Sequence, residues 1–305
     1  MKNLVVILGP TGVGKSDLCI QVARHLHTPI INADSRQIFA ELPIGTAAPT
    51  REQLSQVKHY FVGNHHMADY YSASMFEQDV LALLQRLFSG QEDGTEHATC
   101  LLSGGSMMYI DAVCNGIDDI PTVDDETRQT MKRRLADEGL PALVDELRTL
   151  DPEHWKIVDH NNPRRVVHAL EICHMTGKPY SSFRTNTRKV RPFNIIKVGL
   201  NRPREEMYDR INRRVLDMVA HGLVEEATAL YPHRGLNALN TVGYKELFAY
   251  LDGTIPLEEA IRQIQSNTRC YMRKQLTWFK KDAAITWFSP ENIEDILNFI
   301  LQQTR

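Results

Sequence analysis

The chain has 305 residues, enough for one or two domains, and its 35 basic and 38 acidic residues give a formal net charge of −3. It has no run of about 18 apolar residues, which excludes a membrane-spanning helix. The overall charge gives no indication of a nucleic-acid partner. Strand-like sequence starts at Leu4 and leaves no room for a targeting peptide. The five dispersed cysteines predict a reducing, cytoplasmic location, not a disulfide framework or a zinc site.

Short β-rich runs alternate with helical patterns along the chain. They are Leu4–Leu8, Ile30–Ala33, Ala98–Leu102, Ile195–Leu200 and Ala284–Phe288. This alternation predicts an α/β fold with a parallel sheet flanked by helices. Ligands of such sheets bind at the carboxyl ends of the strands, so the residues that follow each run are the candidate site residues.

The gap between the third and fourth runs is too long for a single crossover. Residues 121–191 are therefore predicted to form an inserted, mainly helical domain within a core made of residues 1–120 and 192–305. Asn162 and Pro163 predict the cap and first residue of a helix that ends at Lys178-Pro179. Further helical segments are predicted at 131–135 and 140–150. The linker candidates are 118–122 and 185–192.

The sequence GPTGVGKS at residues 9–16 is a P-loop between a strand and a helix, which predicts a P-loop NTPase-like core. Its glycines let several N–H groups point at one anion, Lys15 adds a positive charge, and Ser16 can hold Mg²⁺. The alternative is a chance glycine-rich turn. The strand, lysine and serine context disfavours that alternative.

Polar residues also follow the second and third runs. Asp34 follows the second run and is a candidate general base or metal ligand, or alternatively a helix-capping residue. The residues 103–106, Ser-Gly-Gly-Ser, follow the third run. A nucleoside triphosphatase usually has an aspartate there for Mg²⁺, so this sequence argues against ordinary ATP hydrolysis.

Basic residues are concentrated in three segments. The helix predicted at 204–219 places Arg210 near the ligand edge of the sheet, against the alternative of a solvated basic face. Residues 160–191 contain seven basic residues and one acid, and residues 260–281 contain six basic residues and no acid. Basic stripes beside aromatic residues predict contact with a nucleic-acid backbone, the alternative being a solvated amphipathic helix. The adjacent pair His65-His66 lacks helical metal-site spacing and predicts no metal ligand.

Taken in order, the motifs of this chain resemble those of the tRNA dimethylallyltransferases, also called tRNA isopentenyltransferases, in their bacterial form. The matching segments span nearly the whole chain. They are GPTGVGKS (9–16), NADSRQIF (32–39), PIGTAAP (43–49), YSASMF (71–76), SGGSMMY (103–109), GIDDIP (116–121), NNPRRVVHALEI (161–172), TGKP (176–179), VGYKEL (242–247) and TRCYMRKQLTWFKK (268–281).

The resemblance implies Mg²⁺-dependent transfer of a dimethylallyl group from dimethylallyl diphosphate to the exocyclic amine of an adenosine beside the tRNA anticodon. It implies three catalytic residues: Asp34 accepts the amine proton, Thr11 bonds the leaving oxygen, and Arg210 holds the diphosphate. The implied diphosphate cradle is Gly9, Pro10, Thr11, Gly12, Val13, Gly14, Lys15 and Ser16, with Ser16 on Mg²⁺. The implied tRNA contacts are Asp34, Ser35, Arg36, Gln37, Arg164, Arg165, Val242, Gly243, Tyr244, Lys245, Arg269, Arg273, Lys274, Gln275 and Trp278.

The implied partners are the tRNA anticodon stem-loop and the prenyl diphosphate, with no membrane and a monomeric enzyme. The chain departs from the usual family pattern at His168, Met272 and Lys274, all within segments predicted to contact RNA. Two alternatives remain open. One is a P-loop nucleoside or nucleotide kinase whose insertion acts as a lid, and the other is a non-catalytic RNA-binding protein with a vestigial P-loop.

Overall fold

The computed structural model describes residues 1–185 and 187–304. They form the strands β1 (Asn3–Leu8), β2 (Ile30–Ala33), β3 (His59–Tyr60), β4 (Thr99–Gly104), β5 (Asn194–Leu200) and β6 (Ile285–Phe288). The helices are α1 (Lys15–His25), α2 (Arg51–Gln56), α3 (Ala73–Ser89), α4 (Met107–Asn115), α5 (Asp125–Leu150), α6 (Pro152–Trp155), α7 (Pro163–Thr176), α8 (Arg204–Ala220), α9 (Leu223–Leu230), α10 (Tyr244–Leu251), α11 (Leu257–Phe279) and α12 (Ile293–Gln303). No helix of the described residues is long and apolar enough to cross a membrane.

The strands form one parallel sheet in the order β3-β2-β4-β1-β5-β6. This confirms the predicted α/β fold and all five predicted strands. Alternate residues of β1 enter two different cores. Leu4 and Val6 pack with α3 and α4, whereas Val5 and Ile7 pack with α1 and α12. The sheet therefore has a helical layer on each face.

The chain divides into two compact units. The first contains Met1–Asn115 and Arg191–Arg305, and the second contains Gly116–Val190. The predicted boundaries lie at 121 and 191. Of the predicted linker 185–192, Asn186 lies outside the described residues.

The second unit is helical and has its own core, formed by α5 and α7 around Leu143, Leu147 and Leu170. Helix α5 is interrupted at Gly139, whose φ of 81° is not helical, so the two predicted segments are separate helical stretches. Helix α7 begins as predicted, because the Asn162 side chain accepts a hydrogen bond from the Arg165 N–H. It ends earlier than predicted, at Gly177, which adopts the left-handed conformation with φ 68°.

Candidate active site

Parallel register brings three predicted site segments to one edge of the sheet. Leu8 at the end of β1 and Ala33 at the end of β2 both pair with Gly104 at the end of β4. The P-loop, Asp34 and Gly105 follow those strands and are therefore neighbours.

The backbone of the P-loop curls around the side chain of Lys15. Gly12 and Gly14 have φ values of 86° and 100°, which only glycine adopts without strain. Lys15 Nζ donates hydrogen bonds to the carbonyl oxygens of Gly9 at 2.9 Å and Pro10 at 3.0 Å. The loop residues that line a cavity of about 660 Å³ are Thr11, Gly12, Gly14, Lys15 and Ser16. Gly9, Pro10 and Val13 do not line it, and the Val13 side chain is buried in the core.

Helix α8 supplies the opposite wall of this first cavity with Arg210, Arg213 and Arg214. Their spacing of three and four places them on one helix face. Arg210 Nε donates to the Gly12 carbonyl at 2.8 Å. Desolvation, followed by the nearby positive charge of Arg214, lowers the pKa of Lys15 to about 8. The lysine and the three arginines outnumber the three carboxylates of the lining, so the cavity has a positive net charge that suits an anion. The carboxylates are Asp17, Asp34 and Asp217.

A second cavity of about 370 Å³ adjoins the first. Thr11, Asp34 and Arg214 line both cavities, so these three residues mark their junction. The apolar part of the second cavity is formed by Ile211, Val215, Met218, Leu223 and Ile264. Its polar part includes Ser35, Arg36, Ser106, Thr268 and Tyr271. The site therefore combines a first cavity lined by basic residues with a second cavity that is largely apolar on one side.

Asp34 both caps a turn and faces the junction. Its Oδ1 accepts the backbone N–H groups of Arg36 at 2.9 Å and Gln37 at 3.3 Å. Within residues 1–185 and 187–304, no donor reaches Oδ2. The capping role and the chemical role that the sequence left open are thus compatible, because each uses a different carboxylate oxygen.

The other predicted tRNA contacts near the sheet edge divide between the two cavities. Ser35, Arg36, Val242, Gly243 and Lys245 line the second cavity, and Gln37 lines the first. Gln37 Nε2 donates to the carbonyl oxygens of Thr46 at 3.1 Å and Ala47 at 3.0 Å. Gln37 therefore also holds the loop at 43–49 in place.

Two residues predicted to contact tRNA are buried instead. Tyr244 is fully buried, and its hydroxyl donates to Glu226 Oε1 at 2.6 Å. Gln275 is 1% exposed and bonds to Thr11 and Gly105. Both side chains lie on the inner faces of α10 and α11 and hydrogen-bond within the protein, so the predicted RNA contact has no exposed side chain at either position. Met272 is also fully buried, so this departure from the family pattern changes the core and not an RNA contact.

The outer face of α11 carries aromatic residues. Tyr271 and Trp278 are 37% and 40% exposed, whereas Phe279 is buried. Trp278 Nε1 donates to Asp111 Oδ2 at 2.8 Å, and Lys274 is exposed. An exposed aromatic residue beside basic ones is an arrangement suited to stacking on nucleic-acid bases.

The arginines of α11 are not equivalent. Arg262 forms an ion pair of 2.6 Å with Glu259. Glu259 is the residue immediately before the acid-free segment 260–281. Arg269 donates to Asn212 Oδ1 at 2.5 Å, and Arg273 donates to the Tyr208 hydroxyl at 2.7 Å. Arg269 and Arg273 have neutral partners and keep their charge available, whereas the charge of Arg262 is compensated.

In the second unit, Arg164 and Arg165 are exposed in the first turn of α7. His168, another departure from the family pattern, lies near Glu171 with 3.3 Å between Nδ1 and Oε2.

The first cavity offers a hydroxyl but not a carboxylate cluster for a metal ion. Among the described residues, no group of three or more His, Cys, Asp or Glu side chains could hold one. Ser16 lines the cavity with an exposed hydroxyl that hydrogen-bonds to no described residue. This donor set fits Mg²⁺ held by one hydroxyl together with phosphate oxygens and water.

The sequence model of the IPP transferase family matches residues 37–282. The chain belongs to this family. Within the IPP transferases, it is 61% identical over 298 residues to tRNA dimethylallyltransferase 1 of Phocaeicola vulgatus, which covers 98% of this chain and 97% of the relative. It is 56% identical over 303 residues to tRNA dimethylallyltransferase 1 of Bacteroides thetaiotaomicron, covering 99% and 96%.

Solved IPP transferases share the fold. The full-length tRNA isopentenylpyrophosphate transferase of Bacillus halodurans is 34% identical, with a TM-score of 0.71 that covers 100% of this chain and 97% of that one. A eukaryotic dimethylallyltransferase acting on tRNA is 23% identical, with a TM-score of 0.81 and coverage of 99% and 77%. This last likeness concerns the fold alone.

Arg213 and Arg214 are two basic cavity residues that the sequence analysis left without a role. Their spacing from Arg210 was the available signal, because residues three and four apart share a helix face.

Proposed function

We propose that this chain transfers a dimethylallyl group from dimethylallyl diphosphate to the exocyclic amine of the adenosine on the 3′ side of the anticodon in tRNA, releasing diphosphate. The observation that carries the proposal is the junction of the two cavities at Thr11, Asp34 and Arg214. Whole-length similarity to proteins named tRNA dimethylallyltransferase supports the same reaction.

The cationic cavity suits the diphosphate that leaves. The backbone N–H groups of Gly12, Gly14, Lys15 and Ser16, with the side chains of Lys15 and Arg210, surround the negative charge that develops when the carbon–oxygen bond breaks. Donors fixed in place before the reaction stabilise that charge without reorganisation. The Thr11 hydroxyl, at the junction, bonds the oxygen that departs with the diphosphate.

Ser16 would hold Mg²⁺ together with the diphosphate oxygens. When bound, Mg²⁺ neutralises part of the charge of the leaving group. Lys15 and Arg210 act on the same oxygens from the loop side and the helix side, respectively.

The second cavity suits the acceptor. Asp34 Oδ2 takes the proton from the adenine amine as the new carbon–nitrogen bond forms, because a weak nucleophile needs a base placed beside it. The apolar side chains Ile211, Val215 and Met218 exclude water from the allylic carbon, which carries positive character in the transition state. A base reaches this site only after leaving its stack.

The proposed tRNA contacts are basic side chains and one exposed tryptophan. Arg269, Arg273, Lys274 and Trp278 on α11 would contact the anticodon stem-loop. Arg164 and Arg165 of the unit at 116–190 would contact it as well. A single chain lines both cavities, so the reaction needs no second copy.

The test uses the purified full chain with dimethylallyl diphosphate, MgCl₂ and an anticodon stem-loop. The expected product is prenylated RNA when the target base is adenosine and unmodified RNA when it is guanosine. ATP turnover without prenyl transfer would instead identify a kinase. RNA binding without either reaction would identify a binding protein.

A further inference from the structure

Gln275 hydrogen-bonds to two segments of the site, the P-loop and the residues that follow β4, and lies on a third element. It lies on α11, with 1% of its surface exposed. Its Oε1 accepts the Thr11 N–H at 2.9 Å, and its Nε2 donates to the Gly105 carbonyl at 2.8 Å. A carboxamide carries a donor and an acceptor on one planar group, so it can make both bonds at once. The P-loop and the segment after β4 are thereby fixed to the same side chain.

The Gln275 carboxamide packs directly against the Cα of Gly105. A Cβ atom at Gly105 would lie 2.6 Å from Gln275 Nε2. Non-bonded heavy atoms at that separation repel strongly, so any side chain there would displace the carboxamide. Glycine at position 105 is therefore compatible with the observed position of the Gln275 carboxamide.

The bond to Gln275 determines what Thr11 offers to a ligand. Its N–H is already taken by Oε1, so this amide is not one of the phosphate donors of the loop. The Thr11 residue still lines both cavities. Fixing the Thr11 amide fixes the peptide plane that leads into Gly12 and the donors that follow it.

We propose that Gln275 is a positioning residue that sets the shape of the diphosphate cradle by holding Thr11 against Gly105. The nature of the ligand rests on the proposed function. Gln275 touches neither the diphosphate nor the RNA, and it acts through Thr11.

Gln275→Met tests this, because it keeps the length of the side chain and removes both hydrogen bonds. Binding of inorganic diphosphate with MgCl₂ to the full chain is measured by calorimetry, and binding of the anticodon stem-loop is measured in parallel. Diphosphate affinity should fall by about tenfold or more, the usual effect of leaving buried partners unpaired. Stem-loop affinity should change by less than about twofold, within ordinary surface-mutation effects.

Gln263→Met is the matched control. Gln263 lies on the same helix, and its Nε2 donates only within the helix, to Glu259 Oε1 at 2.7 Å. This variant should bind diphosphate as the unaltered chain does. Wild-type diphosphate affinity in Gln275→Met would overturn the proposal, as would equal losses in the two variants.

Gln275→Glu adds a readout that a purely structural role would not move. The introduced carboxylate still accepts from Thr11 but cannot donate to Gly105 until it is protonated. Its loss of diphosphate affinity, taken as a ratio to the unaltered chain at each pH, should shrink as the pH falls from about 8 to about 6, because burial favours the neutral acid. A ratio that does not change with pH would overturn the proposal.

These measurements are separable from the test of prenyl transfer. Suppose that the chain does not prenylate RNA but binds diphosphate tightly, and that this binding depends on Gln275. That result would overturn the proposed function and leave the positioning role of Gln275 intact. An unaltered chain that does not bind diphosphate would overturn both. Unfolding of both Gln275 variants would assign the residue to stability and overturn the positioning role.

Discussion

Arg210 Nε donates a hydrogen bond to the Gly12 carbonyl oxygen at 2.8 Å. The same guanidinium lies beside Gly14, where a Cβ would be 3.5 Å from Arg210 Nη2. The Nε atom of Arg210 thereby attaches helix α8 to the P-loop. The two terminal nitrogens of the guanidinium, Nη1 and Nη2, remain available to a ligand. Arginine suits this position because its planar fork carries five donors in fixed geometry.

Arg210→Lys should lower kcat/KM for dimethylallyl diphosphate by about 100-fold, the usual cost of removing a donor to a developing anion. The lysine keeps the charge but cannot donate to Gly12 and also present a fork to the diphosphate. Steady-state kinetics with saturating tRNA measure the change. Arg234→Gln, at an exposed arginine outside both cavities, is the control and should leave kcat/KM unchanged. Equal activity of Arg210→Lys and the unaltered chain would place Arg210 outside the reaction.

Asp34→Asn should lower the single-turnover rate by about 100-fold or more, because the amide cannot accept the proton of the amine. The turn should persist, since the amide oxygen can still accept from Arg36 and Gln37. Binding of the anticodon stem-loop should therefore stay within about twofold of the unaltered value. Asp295→Asn, on the exposed end of α12, is the control. A loss of RNA binding as large as the loss of rate would make Asp34 mainly a docking residue.

We expect the arginines of α11 to contribute unequally to the salt dependence of tRNA binding. Replacing Arg269 and Arg273 with Ala should weaken binding and reduce the slope of log K against log salt by about 1.5, since each lost phosphate contact removes roughly 0.7–0.9. Arg262→Ala is the matched control, because Arg262 is already paired with Glu259. It should leave the slope unchanged. If Arg262→Ala alters the slope of log K against log salt as much as the double variant does, Arg269 and Arg273 do not contact the RNA backbone.

Lys15 predicts a pH dependence of diphosphate binding. Its pKa is lowered to about 8 by desolvation and the nearby Arg214. A bound anion raises that pKa, so binding takes up a proton in the window above about pH 8. Affinity is fully present below that pH and should fall as the pH rises, with a slope of log K approaching −1.

The baseline for this pH experiment is Lys15→Met, because the titration of diphosphate itself affects both proteins equally. Calorimetry between about pH 7 and pH 10 should show the extra fall only in the unaltered chain. Parallel curves for the two proteins would mean that Lys15 does not change its protonation when diphosphate binds.

Much of the sheet was predictable because buried parallel strands are nearly continuous apolar runs. Asn3–Leu8 is buried along its whole length, and its apolar residues are easily recognised. His59–Tyr60 was missed because a two-residue strand with polar character has no such pattern. The end of α7 was misplaced because Gly177, and not the following Lys-Pro, terminates it.

The site was predictable where a motif has a fixed backbone geometry and less so where tertiary packing decides. The P-loop and Asp34 occupy the expected sheet edge because the strands that precede them are parallel neighbours. Gln275 and Tyr244 were assigned to RNA by the family resemblance, which covers the segments 242–247 and 268–281 as wholes and does not separate their buried from their exposed side chains. Their hydrogen-bond partners, Thr11 and Glu226, lie on other elements of the chain, so helical periodicity gives no sign of them.

The most direct test of prenyl transfer is mass spectrometry of tRNA nucleosides from cells with and without the gene. Prenylated adenosine should be present with the gene and absent without it. It should return with a plasmid copy of the unaltered chain and should not return with Asp34→Asn. Unchanged prenylated adenosine in cells that lack the gene, and have no second copy of it, would contradict the account.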